Sequence, residues 1–428
     1  MTDNRIYDRA LERVDALRDE LVSRLQELVR IPSVTGHEHD VQQAVSRQMD
    51  DLGLDIDMWE PDAAELAPFA EHVGAFESLA GRPNVVGTRK GSGGGRSLIV
   101  NAHIDTVEPG DRSHWTVDPF GGEVIDGKLY GRGSCDMKAG LVAPMIALRA
   151  LDEAGIVLSG DVLIESVISE EDGGAGALAS ILRGHRADAC VITEPTELAI
   201  IPAQGGSLVF RLTIEGRSAH ACVRNEGISA LEKFLPIHAA LLRHEREHHE
   251  AIDHPLYSKF GNRAPINIGT VAAGNWPSSV PESIVVEGRA GLVPGESLDQ
   301  TREAFVQAVM DACTGDSWLE EHPPRIEWFS GQFAAAEVPG NHPLVEALAE
   351  AHRRSSGNEV AIDGATYGAD MRHFINAGNM PCIMYGPGDV RRAHRPDEFV
   401  PVDEVLAVAR TLTVMMLDWC GIHYAHGG

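Results

Sequence analysis

Lysine is scarce in this 428-residue chain. Arginine supplies nearly all of the positive charge, and the acids outnumber both, leaving a formal net charge of -28. That excess disfavours nucleic acid or an anionic membrane as a partner, because each would add like-charge repulsion to binding. It leaves room for an anionic small molecule, since a site can gather local arginine and metal charge. There is no Cys-x-x-Cys pair. The six cysteines (Cys135, Cys190, Cys222, Cys313, Cys382, Cys420) are scattered and mostly flanked by apolar residues. They read as packed thiols in a reducing compartment, which makes the cytoplasm the expected location. No apolar run approaches the length that spans a bilayer. Met1 to Glu20 alternates acids and arginines around no apolar core of the signal-peptide kind. Internal repeats and low-complexity tracts are absent. The one lookalike of a phosphate loop, Gly91-Ser92-Gly93-Gly94-Gly95, lacks the Gly-Lys-Ser/Thr ending and precedes a strand, so a flexible hairpin connection is expected there.

What is present suffices for a large core and more than one domain. Leu11, Val14, Leu17, Leu21, Leu25 and Leu28 recur at helical spacing, predicting one amphipathic helix over 9–30 that ends at Pro32. A second helix is expected near 39–52; the 61–83 segment fits either a helical insertion or a surface excursion. Ser97 to Ala102 is mostly apolar, as in a strand buried on both faces. A helix from Lys138, a strand at 161–169, a helix near 175–182 and a strand at 189–193 follow, the alternation of an α/β domain with a largely parallel sheet. Past Ala203 the order becomes β-α-β-β-α-β, which suits a small inserted α+β sandwich. After Pro343 the α/β pattern resumes. The expected division is a catalytic unit of 1–205 with 331–428, and an inserted unit of 206–330.

Polar clusters stand at the ends of the α/β-domain strands, where open sheets of this kind place ligands. Gly131 to Gly140 delivers Asp136 on a glycine-rich turn; alone, this fits a helix-capping βα turn as well as a cation site. His103-Ile104-Asp105 ends one strand, and alternation points His103 and Asp105 the same way. Asp105 can then hold the imidazole while His103 binds a metal, although a surface His beside an unrelated Asp fits too. Glu170-Glu171-Asp172 ends a second strand, and three adjacent acids repel unless solvated or gathered round a cation. Glu194 ends a third, and His394 lies in Ala393-His394-Arg395-Pro396-Asp397-Glu398. This nitrogen-and-oxygen set suits Zn²⁺, and less often Co²⁺ or Mn²⁺. Two histidines and three carboxylates exceed the needs of one open zinc and fit two ions sharing a bridging carboxylate, with one acid left as a base. Such a pair can hold a bridging hydroxide and polarise a carbonyl.

With these motifs in this order, the chain resembles the co-catalytic dinuclear zinc metallopeptidases and deacylases, a family that includes acetylornithine deacetylase, succinyl-diaminopimelate desuccinylase, aminoacylase and carboxypeptidase G. The resemblance covers nearly the whole chain. It implies an α/β fold, with a zinc-peptidase-like catalytic domain on a mixed, largely parallel sheet and an inserted α+β sandwich serving as lid and dimerisation domain. It implies that His103 and Glu194 bind one Zn²⁺, Glu171 and His394 the other, and Asp136 both, across a cis Asp136–Met137 peptide. Glu170 would be the general base and Asp105 the partner that orients His103. His220 would stabilise the oxyanion, often at the partner subunit's site in dimeric members, and Arg289 would grip a substrate carboxylate. The activity implied is removal of the acyl group from an N-acyl amino acid or related small N-acyl amine. Carboxypeptidase or dipeptidase activity, and a non-catalytic relative that only binds metal or ligand, are the alternatives. A small-molecule substrate and a homodimer through the inserted domain are implied as partners.

Two positions depart from the family pattern. Ala139 stands where Gly is usual, and Ser278 stands where many members carry Asn as a substrate or oxyanion contact, making Ser278 the candidate there. Glu194, rather than Asp, favours an acylated amine over a free peptide. His244, His248, His249 and His254 resemble a metal cluster, but their helical spacing among Glu and Arg suits a solvated face. Cys222, close after His220, is expected to pack. Trp276 and Phe333 are candidates for an aromatic pocket wall, and Asp370 and Arg372 for support of the site.

Overall fold

The computed structural model describes residues 4–423. Helix α1 (Asn4–Ala16) and helix α2 (Arg18–Arg30) take the place of the single helix expected over 9–30. The break falls at Leu17, whose backbone leaves the helical region although no Pro or Gly stands there. Leu11, Val14, Leu21, Leu25 and Leu28 stay buried on both sides of it, so the apolar stripe is satisfied by a bent pair as well as by one rod. Helix α3 (His39–Asp50) and strands β1 (Asp55–Trp59), β2 (Asn84–Arg89) and β3 (Leu98–His103) follow. After them come α4 (Ala139–Glu153), β4 (Val162–Val167), α5 (Ala175–Arg183), β5 (Cys190–Ile192) and β6 (Ile200–Gln204).

The chain then builds a second unit from β7 (Gly206–Glu215), α6 (Ala230–Ala251), β8 (Ile266–Ala273), β9 (Ser283–Leu292), α7 (Leu298–Cys313) and β10 (Arg325–Trp328). It returns through β11 (Ala336–Glu337), α8 (Pro343–Ser356), β12 (Ile362–Ala365), β13 (Cys382–Met384) and α9 (Val402–Trp419).

The large sheet is mixed, with strand order β1-β2-β4-β3-β5-β13-β6-β11 and β12 paired to β6. Pairing is parallel around β3, with β4 on one side and β5 then β13 on the other. It is antiparallel at β1–β2, β2–β4 and β13–β6. The central strands β3, β4 and β5 are buried along their whole length, in line with their mainly apolar sequences.

Gly91 to Gly95 is not a hairpin, because β4 lies between the two strands it joins. Nor does it project freely. A side chain at Gly95 would stand 1.9 Å from the Cys420 carbonyl oxygen, and one at Gly91 would stand 2.4 Å from that of Ser159. The glycines permit this close backbone approach.

The second unit has its own core around Phe210, Phe305 and Trp328, beneath a four-stranded antiparallel sheet of order β8-β9-β7-β10. Phe210 and Phe305 lie 4.6 Å apart between ring centroids. The 61–83 segment folds into short helical turns that strap the units together. Val73 packs against Gly173, where a side chain would meet its carbonyl oxygen at 2.5 Å. Across the strap, Glu71 Oε1 accepts from Arg302 Nη1 on α7 at 2.5 Å. Five cysteines are buried; Cys222, expected to pack, is exposed. No helix among the described residues is long and apolar enough to cross a membrane.

Candidate metal centre

The ends of β3, β4, β5 and β13 converge on one edge of the sheet, and the polar clusters meet there. His103 is the last residue of β3. Its Nδ1–H donates to the Asp105 carbonyl at 2.9 Å, and a carbonyl can only accept, so Nε2 is left free to ligate. Nε2 faces Asp136 Oδ1 at 3.0 Å and Glu194 Oε1 at 3.9 Å. On the far side of Asp136, Oδ2 stands 3.4 Å from His394 Nε2, which is also 3.0 Å from Glu171 Oε1. Asp136 therefore presents one oxygen to each histidine.

The carboxylate of Asp105 does less for His103 than its carbonyl does, standing 3.6 Å from Nδ1. It accepts instead from the main-chain N–H of Glu170 at 3.1 Å and of Glu171 at 3.2 Å, and from Thr35 Oγ1 at 3.0 Å. It thus holds the turn that carries both glutamates.

Local backbone explains how these side chains gather. The Asp136–Met137 peptide is cis, and Gly131 and Gly133 take φ of +146° and +80°. The room these glycines leave faces the scaffold: side chains there would meet Val29 and Thr106. Gly140 brings the first turn of α4 against the end of β5, where a side chain would stand 2.2 Å from the Thr193 carbonyl oxygen. Ala139, the departure from the family pattern, has a φ of -62°, which any L-residue accepts.

Four carboxylates, Asp136, Glu170, Glu171 and Glu194, crowd around two imidazoles. Burial, only partly offset by His103, pushes the Glu194 carboxyl up to about 8, with Asp136 and Asp370 adding repulsion. Burial likewise raises Glu170 well above the carboxylate range. Hydrogen bonding to Asp136 and Glu171 lifts His394 to about 10. Burial opposes a charge on His103, yet Asp136 and Glu194 still raise it well above an ordinary imidazole.

The acids are thus short of positive charge, and the donor set fits divalent cations of the zinc type. One ligand atom each from His103, Asp136 and Glu171 lies within 4.8 Å of the others. Zn–ligand bonds of about 2.1 Å at tetrahedral angles would set neighbouring donors about 3.4 Å apart. The His–carboxylate separations of 3.0 to 3.9 Å bracket that spacing.

The cluster floors a cavity of about 450 Å³ lined by both units, with Glu170, Asp172, Arg289, Phe333, Tyr367 and His394 among its walls. Arg289 opens into the cavity from β9 without an ion pair among the described residues. Phe333 is held by the Arg372 guanidinium stacked 3.7 Å from its ring centroid.

His220 and Ser278 are not brought to this cavity. They lie together on an exposed edge of the second unit, where the Ser278 carbonyl accepts the Ala221 N–H at 2.9 Å. Cys222 sits beside His220, Sγ to Nδ1 3.0 Å. Trp276 is 68% exposed and outside the cavity. His248 and His254 pair with Glu296 and Glu337 as surface residues, and no metal-holding group other than His103, Asp136 and Glu171 occurs among the described residues.

Sequence reasoning missed Tyr367 and Ser207 as cavity walls. Tyr367 stands three residues before Asp370, and Ser207 just inside the second unit, so proximity to named segments was the one signal available.

An open sheet with acids and imidazoles at its strand ends, facing a cavity closed by an inserted α+β unit, defines a metallohydrolase of the peptidase–deacylase class. Residues 99–418 match Peptidase family M20/M25/M40, and the chain belongs to that family. It is 28% identical to the N-formyl-4-amino-5-aminomethyl-2-methylpyrimidine deformylase of Bacillus subtilis, over 98% of each chain. In fold it is similar to the di-peptidase Dug1p of Saccharomyces cerevisiae, with a TM-score of 0.76, 14% identity and coverage of 97% of this chain and 98% of that one. It is also similar to the YXEP protein of Bacillus subtilis, described as a dinuclear metal-binding peptidase, with a TM-score of 0.66, 15% identity and coverage of 95% and 99%.

Proposed function

We propose that this chain hydrolyses the amide bond of a small N-acylated amine, releasing the acyl group. The observation that carries this reading is Asp136 set between two imidazoles, one oxygen toward each, on the floor of a cavity whose wall holds Glu170. His103 and Glu194 would hold one cation, Glu171 and His394 a second, and Asp136 both, with zinc as the metal. When bound, such a pair supplies Lewis acidity toward a carbonyl oxygen and toward water. Glu170 acts as general base, taking the proton of the attacking water and passing it to the leaving nitrogen. Asp105 keeps Glu170 and Glu171 aimed by accepting both of their main-chain N–H groups. Arg289 binds a carboxylate of the substrate, supported by its lack of an ion-pair partner among the described residues.

The donor for the developing oxyanion is His220 of a second subunit, with Ser278 beside it, because neither reaches the cavity of its own chain. A homodimer through the 206–330 unit supplies it. That assembly is supported by exposed Leu231, Leu235 and Leu242 on α6 and by exposed Val271 on the edge strand β8. In this reading 1–205 with 331–428 form the catalytic unit. A cytoplasmic setting agrees with six unpaired cysteines.

Phe333 and Tyr367 favour an amine with a flat or aromatic portion, in keeping with the deformylase relative. The test is acyl release by zinc-loaded protein from N-formyl and N-acetyl amines, N-acetylornithine and N-formyl-aminomethylpyrimidine included, beside a dipeptide panel. Chelator-sensitive acyl release supports the reading; faster dipeptide cleavage would transfer it to the peptidase alternative. Metal retention without turnover on any amide would leave a binding protein.

A further inference from the structure

Glu398 ends the segment that carries His394, and none of the roles above uses it. It is 1% exposed. Its Oε1 accepts the main-chain N–H of Cys135 at 2.9 Å and of Asp136 at 3.2 Å. Oε2 accepts from Arg132 Nη1 at 2.6 Å, and the Glu398 carbonyl accepts the Gly131 N–H at 2.9 Å. One residue thus grips the 131–136 turn at four points. Arg132 is itself fixed, its guanidinium 5.3 Å from the Trp115 ring centroid. His394 and Asp397 both adopt left-handed φ, +59° and +54°, and the Asp397 carboxylate accepts from Thr116 N at 2.7 Å and Oγ1 at 2.9 Å. The short span from His394 to Glu398 is therefore tied down at its far end.

We infer that Glu398 is a positioning residue for the metal pair: its carboxylate sets where Asp136 presents its two oxygens between His103 and His394. The inference rests on the reading of Asp136 as the shared ligand. A merely structural purpose is already met by other contacts, since Phe399–Pro401 pairs as a strand with Lys128–Tyr130 and docks the same two segments through backbone alone. The Glu398 side chain adds contacts to the ligand's own peptide and its neighbour. Groups that orient metal ligands in this way typically contribute 10–100-fold in metal affinity.

The experiment compares the parent protein with Glu398→Gln and Glu398→Asp, titrating zinc into the metal-free protein against a competing chelator. Thermal melts and circular dichroism report the fold. Binding of two zinc ions by the parent is the control; its failure would count against the shared-ligand reading and not against Glu398. With that control met, folded variants are expected to bind at least one zinc about 10–100-fold more weakly and to lose kcat with little change in KM at saturating zinc. Parent-like affinity at both sites in a folded variant overturns the inference. If neither variant folds, hydrogen exchange on the parent decides. The 133–138 peptide should stay protected at Cys135 and Asp136 without zinc, and rapid exchange there overturns the clamp.

Discussion

Asp136 and Glu170 share one cluster yet depend on it for different things. Asp136 faces both histidines, as the proposed shared ligand must; Glu170 has neither imidazole within ion-pair distance among the described residues and lines the cavity. Replacing Asp136 with Ala is expected to abolish activity and metal together. Glu170→Ala should keep the metal content of the parent and lose about 10²–10⁴ in kcat, the usual worth of a general base. Metal analysis of the purified variants beside their kinetics checks both, and two ions retained by the Asp136 variant would sink the shared-ligand role. Arg289 makes a separate demand. A guanidinium without an ion-pair partner among the described residues is available to a substrate carboxylate, and a charged hydrogen bond of that kind contributes ~1.5–3 kcal/mol. Arg289→Ala should raise KM about 10–100-fold for an N-acyl amine bearing a carboxylate. The same amine lacking the carboxylate should be cleaved with unchanged KM. Equal losses on both would remove Arg289 from substrate binding.

Strand β4 shows what a buried acid costs an element. Glu165 is fully buried at its centre, accepting from Ser180 Oγ at 2.7 Å and Asn101 Nδ2 at 3.0 Å. Burial lifts its carboxyl from 4.5 to about 7 despite those donors. The folded state therefore favours the proton. The stability this gives is complete below about pH 4.5 and is lost as pH rises through about 7, worth at most ~3 kcal/mol. Glu165→Gln should flatten the melting profile between those values and melt above the parent at pH 8. A profile parallel to the parent's would contradict the raised carboxyl.

The elements that can be read from sequence are those with local cause. The mainly apolar runs at 98–103 and 162–167 announce buried strands, and alternation in 207–215 announces a half-covered one. Strands such as β6, β11 and β12 are too short for any period to declare itself. The Gly91–Gly95 connection is misread for another reason: β2 and β3 are neighbours in sequence but β4 separates them in the sheet, and no local pattern encodes that. The metal-binding candidates are legible because acids and imidazoles at strand ends need an explanation. Ser207, Tyr367 and Glu398 are less so. The first two face a cavity that exists only where two units meet, and the third binds mainly main-chain N–H groups, which leave no mark in side-chain patterns.

At the scale of the whole molecule, the candidate residues do not all meet within one chain. The cavity holds the cluster, Glu170 and Arg289, whereas His220 and Ser278 lie exposed on the inserted unit, outside it. If the oxyanion donor comes from a second subunit, each active site combines Glu170 of one chain with His220 of another. Glu170→Ala and His220→Ala are then separately inactive but complementary. Unfolding and refolding them together at equal concentration makes half of the dimers mixed. Each mixed dimer contains one site with both residues intact, so activity should return to about a quarter of the parent's in a symmetric pair. Mixing without subunit exchange should recover nothing. A His220 that serves its own chain predicts a different result, because every site in the mixed dimers would then lack one of the two residues and the refolded mixture would stay inactive. Sedimentation of the parent supplies the remaining arm: a monomer retaining full activity at dilution would rule out donation between subunits, whatever the mixture does.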